Sequence, residues 1–310
     1  MRVAVFGAGG VGAYFGARLA EAGADLAVIA RGPHLAAIRT NGLRVDSVLG
    51  DMHVHPVASA NPADIGPVDV VLLGVKTWQL DETIPALRPL LGPDTLVIPL
   101  QNGVEAAEQL SRTIGAGHVA GGLCSGFCFI VAPGHVRHIG GITLIKFGEL
   151  DGRLSARVEA LRAAFVRAGV DATVPDDIHL ALWEKFMLVV PFGGLGAVTR
   201  APIGVLLRTP VTRELVERGM REIEAVARAS GVALPHDCVA RTLATLDAVT
   251  PSGTSSLQRD ITEGKRSELD EWTGAVVRLG ARAGVPTPLH AFLYASLLPQ
   301  ELRARGELDF

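Results

Sequence analysis

Cysteine, basic charge and long apolar runs are all scarce in this 310-residue sequence, and each scarcity excludes a class of protein. The formal net charge is −3 and no run of like charges forms an arm or tail, so a nucleic-acid backbone finds no electrostatic footprint. No apolar stretch approaches the roughly 18 residues that a membrane-spanning helix needs. The opening "MRVAVFGAGG" enters a folding pattern with no signal-peptide h-region. Together these set the expectation of a cytoplasmic protein with neither nucleic acid nor membrane as partner. Cys124, Cys128 and Cys238 are an odd number without C-x-x-C spacing. Cys124 and Cys128 could share one face of a strand, but the pattern suits buried thiols in a reducing compartment better than a disulfide or a metal site. What remains is 48% hydrophobic and 20% charged, an ordinary globular composition. The length exceeds what one core usually organises, so two domains are expected.

Residues 2–6, "RVAVF", form a β-branched run that leads into "GAGGVG", after which "AYFGARLAEAG" has helical spacing. The G-x-G-x-x-G pattern is Gly7, Gly9 and Gly12. The first glycine permits a tight turn, and the second leaves room for a pyrophosphate. The third lets the helix pack on the strand while its N-terminal amides face the phosphates. Strand before and helix after make this a dinucleotide site rather than a chance spacing. The second strand, 25–30, should end near the adenosine ribose. A site selective for NAD places an acid there, but the sequence has Ala30, Arg31 and Gly32. Asp25 lies at the wrong end, so Arg31 becomes the candidate partner of a 2′-phosphate, which favours NADP(H). A solvated surface arginine is the other reading.

Two further apolar runs, 68–79 and 95–104, read as strands of a parallel sheet covered on both faces. Lys76 follows the first and Gln101-Asn102-Gly103 the second, at the strand ends where ligands bind in such sheets. Either could be a plain loop residue; on adjacent strands beside a nucleotide turn they support one another. Residues 118–148 change to short strands with glycine turns, expected as antiparallel additions to the sheet. His135 and His138 in that meander read as surface or core histidines, with no orienting carboxylate nearby in sequence.

After Pro175 the strand-like runs stop, and helical periodicity appears over 177–190, 210–230, 235–249 and 265–284. The expected organisation is therefore α/β. An N-terminal Rossmann-type doubly wound sheet spans 1–176, and an all-helical substrate and dimerisation domain spans 177–310. Within "WEKFMLVVPFGGLGAVT" (183–199), once Glu184 is passed, Lys185 is the one ionisable side chain. A charge set among apolar residues must be paired, neutralised or used, unless it snorkels to water. In 254–280, Ser255 and Ser256 precede a helix that Asp260 could help cap, and Glu268 and Asp270 begin the next amphipathic stretch.

As an ordered set, "GAGGVG", "ARGPHLAAIRTNGL", "VKT", "QNG", "WEK", "SSLQRD", "ELD" and "TGAVVRLG" resemble the ketopantoate reductase family over nearly the whole chain. The resemblance implies NADPH-dependent reduction of a 2-oxo acid to a 2-hydroxy acid, foremost ketopantoate to pantoate. Lys185 would protonate the ketone oxygen as hydride arrives. Arg31 and Lys76 would contact the cofactor, Asn102 would lie between cofactor and substrate, Ser256 would bind the substrate carboxylate, and Glu268 would hold cofactor and lysine in place. The departure from the family lies on the lysine helix. Members with authentic ketopantoate activity typically carry asparagines four and eight residues after the lysine, where this chain has Val189 and Gly193. That keeps a reductase of another, more apolar 2-oxo acid in view, with a non-catalytic NADP(H) sensor as a third reading.

Overall fold

In the computed structural model, which describes residues 1–140 and 143–310, "RVAVF" forms strand β1 (Arg2–Phe6), with four of its five residues buried. In chain order there follow α1 (Gly10–Glu21), β2 (Asp25–Ile29), α2 (Gly32–Asn41), β3 (Leu43–Ser47), β4 (Met52–Val54) and β5 (Val57–Ser59). Next come β6 (Val68–Leu73), α3 (Leu80–Ala86), β7 (Leu91–Pro99), α4 (Ala106–Ile114), β8 (Ala120–Ser125), β9 (Cys128–Ala132) and β10 (His135–His138). The series closes with β11 (Leu144–Glu149), α5 (Ala156–Arg167) and β12 (Asp171–Thr173).

The main sheet has the order β5-β2-β1-β6-β7, and every pairing in it is parallel. One core cluster, including Val3, Val5, Phe15, Leu72 and Ile98, fills one face of this sheet. A second cluster, with Ala4, Phe6, Leu73, Ile84 and Leu110, fills the other. Burial on both faces is why these strands read as unbroken apolar runs. The strands after residue 118 do pair antiparallel, β8 with β11 and β9 with β10. They belong to two small sheets of order β4-β3-β10-β9 and β12-β11-β8, the latter reached from β7 by a bridge between Val97 and Val119. Residues 141–142 of that meander lie outside the described residues.

The chain divides into two compact units, Met1–Gln101 with Glu105–Ala181, and Asn102–Val104 with Leu182–Phe310. From Ile178 onward the described elements are all helices: α6 (Ile178–Thr199), α7 (Ile203–Arg208), α8 (Pro210–Ala229), α9 (Cys238–Asp247), α10 (Ser256–Thr262), α11 (Thr273–Ala283) and α12 (Pro288–Ala304). Two of these depart from the periodicity. Helix α6 does not stop at residue 190 but runs through Pro191. The proline is buried, and a side-chain carbon at Gly219 of α8 would stand 2.9 Å from it. The ring of Pro191 thus packs closely on that bare glycine, where a larger residue at 219 would meet it. The expected helix 265–284 begins only at Thr273, so Glu268 and Asp270 sit in a turn before α11.

By length and composition α6 could cross a membrane, contrary to the reading of the runs as too short, because Glu184 and Lys185 do not interrupt its 22 residues of helix. Yet 61% of its most apolar window is buried inside the protein, as in the core helix of a soluble fold.

Candidate active site

At the carboxyl end of β1 the glycine turn separates into three physical roles. Gly7 has φ +87°, in the left-handed region that favours glycine. A side-chain carbon at Gly12 would press within 2.7 Å of the Gly7 carbonyl and 3.0 Å of Val5, so its absence lets α1 lie against β1. Gly9 differs from both. A carbon there would meet only the Gly74 carbonyl oxygen, at 3.7 Å. Among the described residues nothing else stands within 4 Å of that position, so the turn is open above Gly9. Gly9 is the N-cap of α1, without a side-chain cap and with no acid in the first turn, so the helix offers its amides outward. Such an end suits an anion. The geometry fits a dinucleotide pyrophosphate.

The neighbouring strand ends carry the other candidates of this unit. Lys76 is half-buried just past β6; its amide donates to Gln79 Oε1 at 3.0 Å, and the Gln79 amide donates to the Lys76 carbonyl at 2.9 Å. Gln101 proves to be a structural member of "QNG". Its Nε2 donates to the Leu73 and Val75 carbonyls at 2.9 and 2.8 Å, which pins the turn that presents Lys76. Arg31 caps α2 and is exposed, as a phosphate partner must be. It is not without an acid, however. Glu82 of α3 places Oε1 3.1 Å from Arg31 Nη2, a neighbour that sequence distance concealed.

The histidines need one correction. His138 is buried and satisfied, 2.8 Å from Ser47 Oγ and 2.9 Å from Thr143 Oγ1, which agrees with a core role. His135, by contrast, does have a carboxylate, Asp46 Oδ2 at 2.8 Å, supplied by β3 as the parallel neighbour of β10. Among the described residues the cysteines form no disulfide; Cys124 and Cys128 stand on different strands, β8 and β9. Burial pushes the Cys128 thiol up to about 12, with Cys124 adding to the shift. Among the described residues no group of His, Cys, Asp or Glu could hold a metal ion.

In the second unit Lys185 is half-buried on α6; Trp183 and Phe186 on either side of it in sequence are buried, and their rings meet edge to face at 5.8 Å. Farther along the same helix, a carbon at Gly193 would stand 2.9 Å from the indole of Trp272 and 3.2 Å from Ser255 Oγ. At Gly193, eight residues along from Lys185, the lysine helix therefore meets Ser255 and the Trp272 end of the turn that also holds Glu268. The place at 193 is bare because Trp272, itself 2% exposed, fills it. Ser255 is the N-cap of α10, its Oγ accepting from the Gln258 amide at 3.0 Å, and Asp260 lies inside that helix instead of capping it. Ser256 is half-buried at the first helical position, its hydroxyl uncommitted among the described residues.

Glu268 is buried at 6% exposure in a turn that α12 holds from behind. Glu301 accepts from the Ser267 amide at 2.9 Å and from Arg305 Nε at 2.8 Å, while Asp270 accepts from Tyr294 at 2.6 Å and from Arg305. Burial works to raise the Asp270 carboxyl, but Tyr294 and Arg305 outweigh it and hold it low. Glu271 next to it goes the other way, to about 7, because burial dominates and the charges of Glu268 and Asp270 add to it. Asn102 is half-buried and groups with this unit: a carbon at Gly103 would lie 3.6 Å from the Glu271 carbonyl.

Both halves of the chain match known proteins. Residues 3–152 match the family model of ketopantoate reductase PanE/ApbA, and residues 177–301 match that of the ketopantoate reductase PanE/ApbA C terminal. A 2-dehydropantoate 2-reductase of Mesorhizobium japonicum is 33% identical, over 93% of this chain and 94% of its own. The crystal structure of a PanE/ApbA family ketopantoate reductase from Ralstonia eutropha superposes with a TM-score of 0.88 at 36% identity, covering 98% of this chain and all of the other. D-mandelate dehydrogenase with NADH and anilino(oxo)acetate shares the fold, at a TM-score of 0.89 and 22% identity over 98% of this chain and 99% of its own. With both halves matched in order, over residues 3–152 and 177–301, this chain is an oxidoreductase of the ketopantoate reductase family.

Proposed function

We propose that the chain reduces a 2-oxo acid to the 2-hydroxy acid with NADPH, ketopantoate being the substrate that kinship puts first. The observation that carries the cofactor half is Gly9, open above the uncapped start of α1. Gly7, Gly9 and Gly12 would shape the pyrophosphate site, with Arg31 and Lys76 as cationic partners and Asn102 beside the nicotinamide. Bound, the cofactor supplies the hydride. The rest is the work of the chain's own side chains. Lys185 donates the proton to the carbonyl oxygen, Ser256 Oγ donates to the substrate carboxylate, and Glu268 orients the lysine and the cofactor. The three free thiols suit a cytoplasmic enzyme. Neither nucleic acid nor membrane enters this reading; a homodimer through the helical half does, and sedimentation at several concentrations tests it.

A second substrate reading rests on one observation, the occupation of the place at 193 by Trp272. With Val189 one turn earlier, the lysine helix presents a methyl-bearing wall and a sealed glycine instead of two amides. A substrate hydroxyl buried there unpaired costs about 1–3 kcal/mol. An apolar 2-oxo acid such as 2-oxoisovalerate loses nothing. NADPH oxidation against a panel of 2-oxo acids decides between the readings. Preference for ketopantoate by more than about tenfold, or 1.4 kcal/mol, supports the first; equal or better kcat/KM for apolar acids supports the second. Nucleotide binding with no turnover of any panel member would leave a sensor and remove both.

A further inference from the structure

The acid that an NAD-selecting site places at the end of its second strand is missing from the sequence there, yet the fold delivers one. Strand β1 lies between β2 and β6 in the sheet, so the segment after β2 and the first turn of α3 after β6 flank the glycine turn from opposite sides. Across that interval Glu82 Oε1 comes to 3.1 Å from Arg31 Nη2. This is Arg31's one ion pair among the described residues, and the two side chains are 66% and 69% exposed. An exposed pair is held weakly and exchanges partners readily.

We propose that Glu82 is a specificity-determining residue that admits NADH alongside NADPH and sets the ratio between them. The proposal rests on the nucleotide reading of the glycine turn. A ribose 2′-hydroxyl is a donor, and Glu82 accepts from it while Arg31 continues to hold the carboxylate in place. A 2′-phosphate is an anion that draws Arg31 away from Glu82. The released carboxylate then stands as a like charge near the phosphate and works against NADPH. One side chain thus favours one cofactor and opposes the other.

The test is to titrate wild type, Glu82→Gln and Arg31→Ala with NADPH and with NADH, and to measure kcat/KM for each cofactor with one 2-oxo acid. Wild type should bind both. Glu82→Gln should shift the NADPH-to-NADH ratio toward NADPH by about tenfold, or 1.4 kcal/mol, chiefly through weaker NADH. Arg31→Ala should shift it the other way. A ratio for Glu82→Gln within about twofold of wild type, a difference well under 1 kcal/mol, overturns the proposal, as does a wild type that binds NADPH but not NADH. Failure of wild type to bind either nucleotide removes the nucleotide reading itself and this proposal with it. Both residues are surface-exposed, so unchanged thermal unfolding is expected and serves as the folding control.

Discussion

At the scale of single residues the sharpest expectation concerns Lys185. Replacing it with alanine should leave NADPH affinity nearly unchanged while turnover falls by roughly 10²–10⁴-fold, the contribution of a positioned general acid. Steady-state rates within about threefold of wild type, far short of that contribution, would remove Lys185 from the chemistry. The sequence alone singles this residue out, because an ammonium in an apolar run demands a reason. Glu82 is not singled out in this way. It follows Arg31 by some fifty residues, and only the strand order brings the two side chains to 3.1 Å. Gln101 was half legible: its position at a strand end pointed to the site, but its hydrogen bonds to Leu73 and Val75 show a residue that shapes the site without facing it.

Elements show a different division between fold and function. Gly9 and Gly12 belong to one motif, yet Gly12→Ala should destabilise the protein by about 1–3 kcal/mol through overpacking against β1. Gly9→Ala should cost less than about 1 kcal/mol as a weakened cap and still lose at least tenfold in nucleotide affinity. Urea unfolding beside a fluorescence titration separates the two; parallel losses in both assays would mean the motif is structural at both positions. On α6, Gly193→Ala should cost about 1–3 kcal/mol, and about 0.5 kcal/mol or less in a Trp272→Leu background. That coupling is what a double-mutant cycle reads, and additive losses would show that the indole does not fill the place. The parallel strands and the glycine turn were readable because local patterning and long-range packing agree there. The break between α10 and α11 was not, since it depends on Glu301 and Arg305 of α12 holding Ser267 and Asp270 in a turn. Nor was the continuation of α6 through Pro191, which needs the bare surface of Gly219.

For the whole molecule, stability should peak in mildly acidic solution. Glu149 lies beside Arg157 and Glu222 beside His290; burial would raise both carboxyls, but these partners' hydrogen bonds outweigh it and keep them low. A depressed carboxyl stabilises the fold above its unfolded pKa, about 4.3 for Glu. That stabilisation is lost as pH falls through the still lower folded value. Glu271, raised to about 7 by burial and its acidic neighbours, does the reverse. Its ionisation opposes the fold above neutrality, so stability should rise between pH 8 and pH 5 by on the order of 2 kcal/mol. Glu271→Gln should flatten that slope and gain stability at pH 8; an unchanged slope in urea titrations at the two pH values would assign it to other groups.

The composition of α6 has a further consequence, one that applies before the protein is folded. As it leaves the ribosome, the 22-residue segment Ile178–Thr199 is apolar enough to be read as a membrane anchor. Its adjacent Glu184 and Lys185 count against insertion, because a charged residue near the centre of a spanning helix costs about 2.5–3.5 kcal/mol on translocon scales. The side chain proposed to serve catalysis in the finished enzyme would thus also help keep the nascent chain out of the bilayer, and Lys185→Leu should increase membrane association during synthesis even where the folded yield is unchanged.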